Sequence, residues 1–255
     1  MGKIVAIGGG SVGRGGTRTE VTPISREIIR LSGKKKPQIL FIPTASFDDP
    51  SYISAFQDHF GKQLACCVDV LCICLRKPSV FQIARKIHNA DIIYVGGGNT
   101  LMMMNRWKKF GIDPLLRQAW SRGKVLCGTS AGAICWFRQG NSDSRKYKNP
   151  KAGLIKVTGL GLIDAMVCPH YDVEKDREPE LKRMMRKTPG VAIALDNCAA
   201  LEIVGNQYRL LTCKPLVGGY KVYWLKGKYF REKLAKGRKW APLSTLLSKE
   251  RTEKF

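Results

Sequence analysis

The chain has 255 residues, with 44 Lys and Arg against 20 Asp and Glu, a formal charge of +24, and 44% apolar residues. That length supports a packed core in one large α/β domain or two small ones, and no apolar run approaches the ~18 residues that span a membrane. The charge favours acidic partners, but the basic residues are scattered and no nucleic-acid motif accompanies them, so no specific nucleic acid and no membrane partner is expected.

The start, Met1-Gly2-Lys3-Ile4-Val5-Ala6-Ile7, is too short and Gly-rich for a signal segment and reads as a first strand. Gly8-Gly9-Gly10-Ser11-Val12-Gly13 follows it and fits Gly-x-Gly-x-x-Gly in form. A dinucleotide site needs a helix directly after these glycines and an acidic residue about 20 positions on. Arg14 to Thr19 reads as a loop and no such acid follows, so no cofactor is expected and the glycines become a loop beside a site.

Helical spacing then covers Pro23–Leu31, with Thr22 as its cap and Gly33 as its stop. Buried-strand patterns at 38–42, 67–73 and 91–95 alternate with amphipathic helices at 51–61 and 78–88. Such alternation predicts βαβ units and a mainly parallel sheet sandwiched between helices. The fourth strand ends in Gly96-Gly97-Gly98-Asn99-Thr100, a turn that brings bare backbone N–H groups to a ligand, and Met102–Met104 behind it read as core. A helix over 113–122 leads to the strand Lys124–Cys127 and to Gly128-Thr129-Ser130-Ala131-Gly132. This is the nucleophile-elbow pattern, in which glycines let the backbone fold around one serine.

Gln139 to Pro150 reads as an exposed loop and lid. A strand over 166–168 delivers His170, a charged helix covers 174–187, and the strand Val191–Leu195 ends at Asp196-Asn197. The tail alternates apolar and polar residues, as in antiparallel hairpins near the C-terminus, and residues 226–255 form a basic, partly helical extension that docks loosely. The whole reads as a single α/β domain over residues 1–255. Nine cysteines, several in apolar strands, lack zinc-like spacing. They point to a reducing, cytoplasmic compartment without disulfides or metal.

A serine nucleophile needs a base and a group that orients the base. Of three histidines only His170 lies at a strand's carboxyl end, where Ser130 also lies. Asp196 ranks first as the orienting acid, with Asp143, Asp172 and Glu202 as alternatives. The order Ser…His…Asp differs from the Ser…Asp…His of α/β-hydrolases.

Val95-Gly96-Gly97-Gly98-Asn99-Thr100, the stretch Cys127–Ala133 and Pro169-His170 together resemble the peptidase E family of serine dipeptidases (family S51), related to cyanophycinase and class I glutamine amidotransferase-like in fold. The resemblance runs from about residue 3 to residue 215. It implies Ser130 as nucleophile, His170 as base, and the N–H groups of Gly98 and Ala131 as an oxyanion hole. The family's acid is commonly a glutamate just after the strand that follows the histidine helix, where this chain places Asp196. Amidotransferase relatives carry a cysteine at the elbow, so serine there disfavours glutaminase chemistry. Family members favour an N-terminal aspartate or β-aspartyl links, which implies a small acidic peptide substrate. Asn99, Thr129 and Arg138, with Arg145, are the expected substrate contacts. A homodimer is left open. The competing expectations are an esterase and a non-catalytic polyanion-binding protein on the same fold.

Overall fold

The computed structural model describes residues 2–237 and 239–249. Its first half runs β1 (Lys3–Ile7), α1 (Thr22–Ser32), β2 (Gln38–Ile42), α2 (Pro50–Phe56), β3 (Cys67–Val70), α3 (Val80–Asn89), β4 (Ile92–Val95), α4 (Thr100–Phe110), α5 (Ile112–Ser121) and β5 (Val125–Thr129). Local chemistry sets these boundaries. Ser79 and Gln82 close a reciprocal capping box at the start of α3. Asn99 caps α4 by accepting the Met102 N–H, and Gly111, at φ 65°, turns the chain into α5. The helix expected over 51–61 continues past α2 as a π-helical stretch, Gln57–Gln63.

The second half runs α6 (Ala131–Ile134), β6 (Phe137–Ser142), β7 (Ile155–Thr158), β8 (Ile163–Cys168), α7 (Arg177–Met185), β9 (Ala192–Leu195), β10 (Ala199–Val204), β11 (Gln207–Thr212), β12 (Gly219–Leu225), β13 (Lys228–Lys233), β14 (Ala241–Pro242) and α8 (Leu243–Leu247). The strands form two sheets. The larger has the order β14-β11-β10-β1-β5-β4-β2-β3 and the smaller β13-β12-β9-β8-β6-β7. Strands β1 to β5 are mutually parallel, and β10, β11 and β14 extend them antiparallel. The mainly parallel α/β class with C-terminal antiparallel hairpins therefore holds. The second sheet departs from the single sheet expected. Its cause is α6, a helix of one turn. A parallel crossover back to the same sheet needs about a dozen residues or more, so the chain leaves the elbow sideways and starts a new sheet at β6.

Strand alternation divides the core. Leu40 and Ile42 face α3, α4 and α5 through Ile83, Met103, Trp107 and Leu116. Ile39 and Phe41 face α1 and α2 through Ile28 and Phe56, and the Phe41 and Phe56 rings stack at 4.0 Å. On the smaller sheet, Leu181 and Met185 of α7 cover Met166, Ala192 and Ala194.

Two sequence expectations change here. Residues 139–142 belong to β6 and pair with β7 and β8, so the lid reading fails for them. The extension from 226 is not loosely docked over its described part: β13 pairs with β12, β14 with β11, and Leu246 of α8 is buried. Residues 250–255 lie outside the described residues. No helix among the described residues is long and apolar enough to cross a membrane.

Candidate active site

The carboxyl ends of β1, β2, β4, β5, β8 and β9 converge on one edge, as open parallel sheets bring ligands to their strand ends. Ser130 sits immediately after β5 with φ 55° and ψ −111°, a strained conformation for a residue with a Cβ. Its N–H is tied to the Ile7 carbonyl at 3.0 Å. The two elbow glycines allow this turn. A Cβ on Gly132 would lie 2.0 Å from the Val95 carbonyl oxygen, and one on Gly128 2.6 Å from the same atom.

His170 also has φ 55° and is anchored by its N–H to the Gly8 carbonyl at 3.0 Å. Its Nε2 lies 2.9 Å from Ser130 Oγ, and its Nδ1 lies 2.7 Å from Asn197 Oδ1. An amide oxygen can only accept, so Nδ1 carries the ring proton. In the neutral ring Nε2 then accepts from the Ser130 hydroxyl.

The third position is therefore filled by Asn197 and not by Asp196, the first-ranked acid. The chain turns at Asn197-Cys198 between β9 and β10, and of the adjacent pair only Asn197 faces the ring. Asp196 turns away and accepts the Gly218 N–H at 2.7 Å. Burial pushes its carboxyl above the usual carboxylate range against that hydrogen bond. Asp172 accepts the backbone N–H of Asn197 at 2.8 Å and so braces the amide without touching the ring. Glu202 is buried on β10, where it accepts from Arg209 at 2.6 Å as part of a structural ion pair. Asp143 lines the pocket, and among the described residues its carboxylate accepts no hydrogen bond and forms no ion pair.

The glycine run after β1 serves this pair. A Cβ on Gly9 would lie 1.9 Å from Asn197 Oδ1 and 2.6 Å from His170 Nδ1. No residue larger than glycine leaves room for the imidazole and the amide together.

Gly98 and Ala131 flank the serine from the β4 turn and from the start of α6. Neither N–H donates to another group among the described residues. Gly98 has φ 135°, and a Cβ there would lie 2.2 Å from the Ala45 carbonyl oxygen, so the loop after β2 fixes this turn. The pocket has a volume of about 730 Å³ and is lined by Arg14, Phe47, Tyr52, Thr129, Asp143 and Tyr147 among others. Thr129 Oγ1 is buried without a hydrogen-bond partner. Arg14 pairs with Asp49 at 3.0 Å and lies over the Tyr52 ring.

The other expected substrate contacts lie elsewhere. Arg138 pairs with Asp164 at 2.9 Å and donates to the Pro189 carbonyl, away from the pocket. Asn99 caps α4 and donates to the Ser144 carbonyl at 3.3 Å, which holds the segment bearing Asp143. Arg145 lines a neighbouring cavity. The thiols of Cys127 and Cys135 are fully buried behind the elbow, and burial holds both well above their ordinary range. Asn197, Arg14 and Tyr52 escaped the sequence reading. The only signal for Asn197 was its place beside Asp196.

A strained serine on a strand–turn–helix, one histidine within hydrogen-bond reach and two unpaired backbone N–H groups on a mainly parallel α/β sheet define the nucleophile-elbow class of site. The model of peptidase family S51 matches residues 4–211. The chain belongs to that family of peptidases. It is 38% identical over 225 residues to the uncharacterized peptidase YgaJ of Bacillus subtilis, covering 87% of this chain and 92% of the relative. It is 27% identical over 166 residues to peptidase E of Shewanella amazonensis, covering 63% and 67% of the two chains. Among solved structures, a peptidase from an acI-B1 Actinobacterium shares the fold with TM-score 0.69 at 18% identity, over 95% of this chain and 97% of the other. A putative peptidase E protein from Listeria monocytogenes does so with TM-score 0.62 at 22% identity, over 83% and 98%.

Proposed function

We propose that the chain is a serine peptidase that cleaves small peptides, dipeptides with an N-terminal aspartate or a similar acidic residue, through an acyl-enzyme on Ser130. The carrying observation is the 2.9 Å contact between Ser130 Oγ and His170 Nε2. In this reading Oγ attacks the peptide carbonyl while His170 takes its proton. The N–H groups of Gly98 and Ala131 receive the developing oxyanion. Loss of one such donor typically costs about 2.7–4 kcal/mol of barrier. Collapse of the tetrahedral intermediate breaks the C–N bond, and His170 protonates the departing amine. Water then adds to the ester, again losing its proton to His170, and Ser130 is regenerated. Asn197 keeps the ring in the tautomer that can accept the serine proton.

Charges in the pocket support the substrate class. The unpaired Asp143 carboxylate suits an N-terminal ammonium, and Arg14, which meets Asp49 through one guanidinium nitrogen, keeps further N–H groups for an acidic side chain. Hydrolysis of Asp-Xaa, Glu-Xaa and neutral dipeptides tests this reading, with Ser130→Ala and His170→Ala as controls. Cleavage of acidic dipeptides that both variants abolish is the expected result. Cleavage of acyl esters without any peptide would make the chain an esterase, and an inert wild type would end the catalytic reading.

A further inference from the structure

A larger cavity adjoins the catalytic pocket. Phe47 and Tyr147 line that pocket and also line a second cavity of about 920 Å³. Leu101 and Met102 of α4 give this cavity apolar surface, and Arg106, Lys109, Arg145 and Lys148 surround it without any acidic side chain. The Arg106 guanidinium donates to the carbonyls of Ile73 and Cys74 at 2.8 and 3.2 Å, neutral acceptors that fix it and leave its charge uncompensated. Lys109, Arg145 and Lys148 form no ion pair among the described residues. Neighbouring Lys146 differs, being paired with Asp176 at 2.8 Å. A basic chain presents solvated lysines everywhere. Here the cations border a concave surface on which Phe47, Leu101 and Tyr147 are large exposed apolar side chains, and that surface shares a wall with the catalytic pocket.

We propose that this cavity is a second substrate subsite, which binds the part of an acidic peptide beyond the residue held against Ser130. The apolar surface takes the side chain or backbone that follows the scissile bond, and the cations take carboxylates further on. The chain then acts on acidic oligopeptides as well as dipeptides. The proposal rests on the peptidase reading of Ser130, and its test separates the two.

Three substrates are compared: Asp-anilide, which has no carboxylate on its leaving side, a peptide Asp-Leu-Asp-Asp, and its amide counterpart Asp-Leu-Asn-Asn. Wild type is expected to favour the acidic peptide over the amide one by about tenfold in kcat/KM, less at high salt. The double variant Arg145→Glu, Lys148→Glu is expected to lose that preference and to keep the wild-type rate on Asp-anilide. Binding of the fluorescently labelled acidic peptide is measured separately on Ser130→Ala, with and without the double charge reversal. A rise in Kd of about tenfold on reversal supports the subsite even if wild type cleaves nothing, in which case the peptidase reading alone falls. Equal cleavage of the two peptides by wild type, a preference that survives the reversal, or an unchanged Kd overturns the proposal. So does a single-stranded oligonucleotide that displaces the peptide and binds more tightly than it.

Discussion

Asn197 Oδ1 accepts the Nδ1–H of His170 at 2.7 Å, in the position that a carboxylate fills in Ser–His–acid triads. The amide orients the ring and selects its tautomer as a carboxylate would. It brings no negative charge to balance the imidazolium that the proposed attack by Ser130 would form. The arrangement is closer in geometry to the Cys–His–Asn constellation, with a serine where that constellation has its cysteine.

The first prediction separates orientation from charge. Asn197→Ala is expected to lower kcat by about 10²-fold with KM little changed, since a misoriented base affects the chemical step more than binding. Asn197→Asp keeps an acceptor at the same place and is expected to retain activity. A carboxylate beside the ring favours its protonated form. The acid limb of the kcat/KM profile should therefore move to higher pH in Asn197→Asp, and stopped-time assays across the acidic range measure it. An unmoved limb would mean that residue 197 does not contact the working base.

The second prediction concerns the neighbour. Burial raises the Asp196 carboxyl, so the folded protein binds that proton more tightly than the unfolded chain does. The sign follows: this group's contribution to stability is fully present below the unfolded carboxylate range and is lost as pH rises through the raised folded value. Asp196→Asn, whose amide oxygen still accepts from Gly218, should flatten urea-unfolding stability across the weakly acidic range. Its kcat/KM should stay near wild type. A large loss of activity would return Asp196 to the catalytic machinery.

Much of the architecture was legible because its signals are local. Apolar runs, caps and glycine stops defined β1 to β5 and the helices between them, and the elbow and the lone strand-end histidine fixed where Ser130 and His170 would meet. The second sheet was not legible, because it follows from a helix stopping after one turn at Ile134, where apolar sequence continues through Trp136 and Phe137. Asn197 was not legible because an orienting acid carries a charge and asparagine does not, and which of two adjacent residues faces the ring is decided by the turn between β9 and β10. Arg138 failed for a related reason. Its basic character was visible, but its partner Asp164 lies on β8, beside it only after β6 and β8 pair.

The third prediction uses the glycine run. Gly9 does not need a left-handed backbone, so alanine there is tolerated by the main chain. Its methyl group would nevertheless collide with Asn197 Oδ1 and His170 Nδ1. Gly9→Ala should fold, with near-wild-type circular dichroism, and lose activity by about 10²-fold or more, as displacing a catalytic group by about 1 Å does. A fully active Gly9→Ala would show that the pair tolerates displacement.

The last prediction isolates a single hydroxyl. Thr129 Oγ1 is buried in the pocket wall with no partner, one residue before Ser130. A buried polar atom left unsatisfied costs about 1–3 kcal/mol. Valine has nearly the same shape without the oxygen, so Thr129→Val should raise Tm. If the hydroxyl instead waits for the substrate, the same change removes one hydrogen bond from the complex, about 1 kcal/mol or a five- to tenfold rise in KM. Stability and substrate affinity then move in opposite directions in one variant, which general damage to the fold does not produce. A higher Tm with unchanged KM would leave Thr129 without a part in substrate binding.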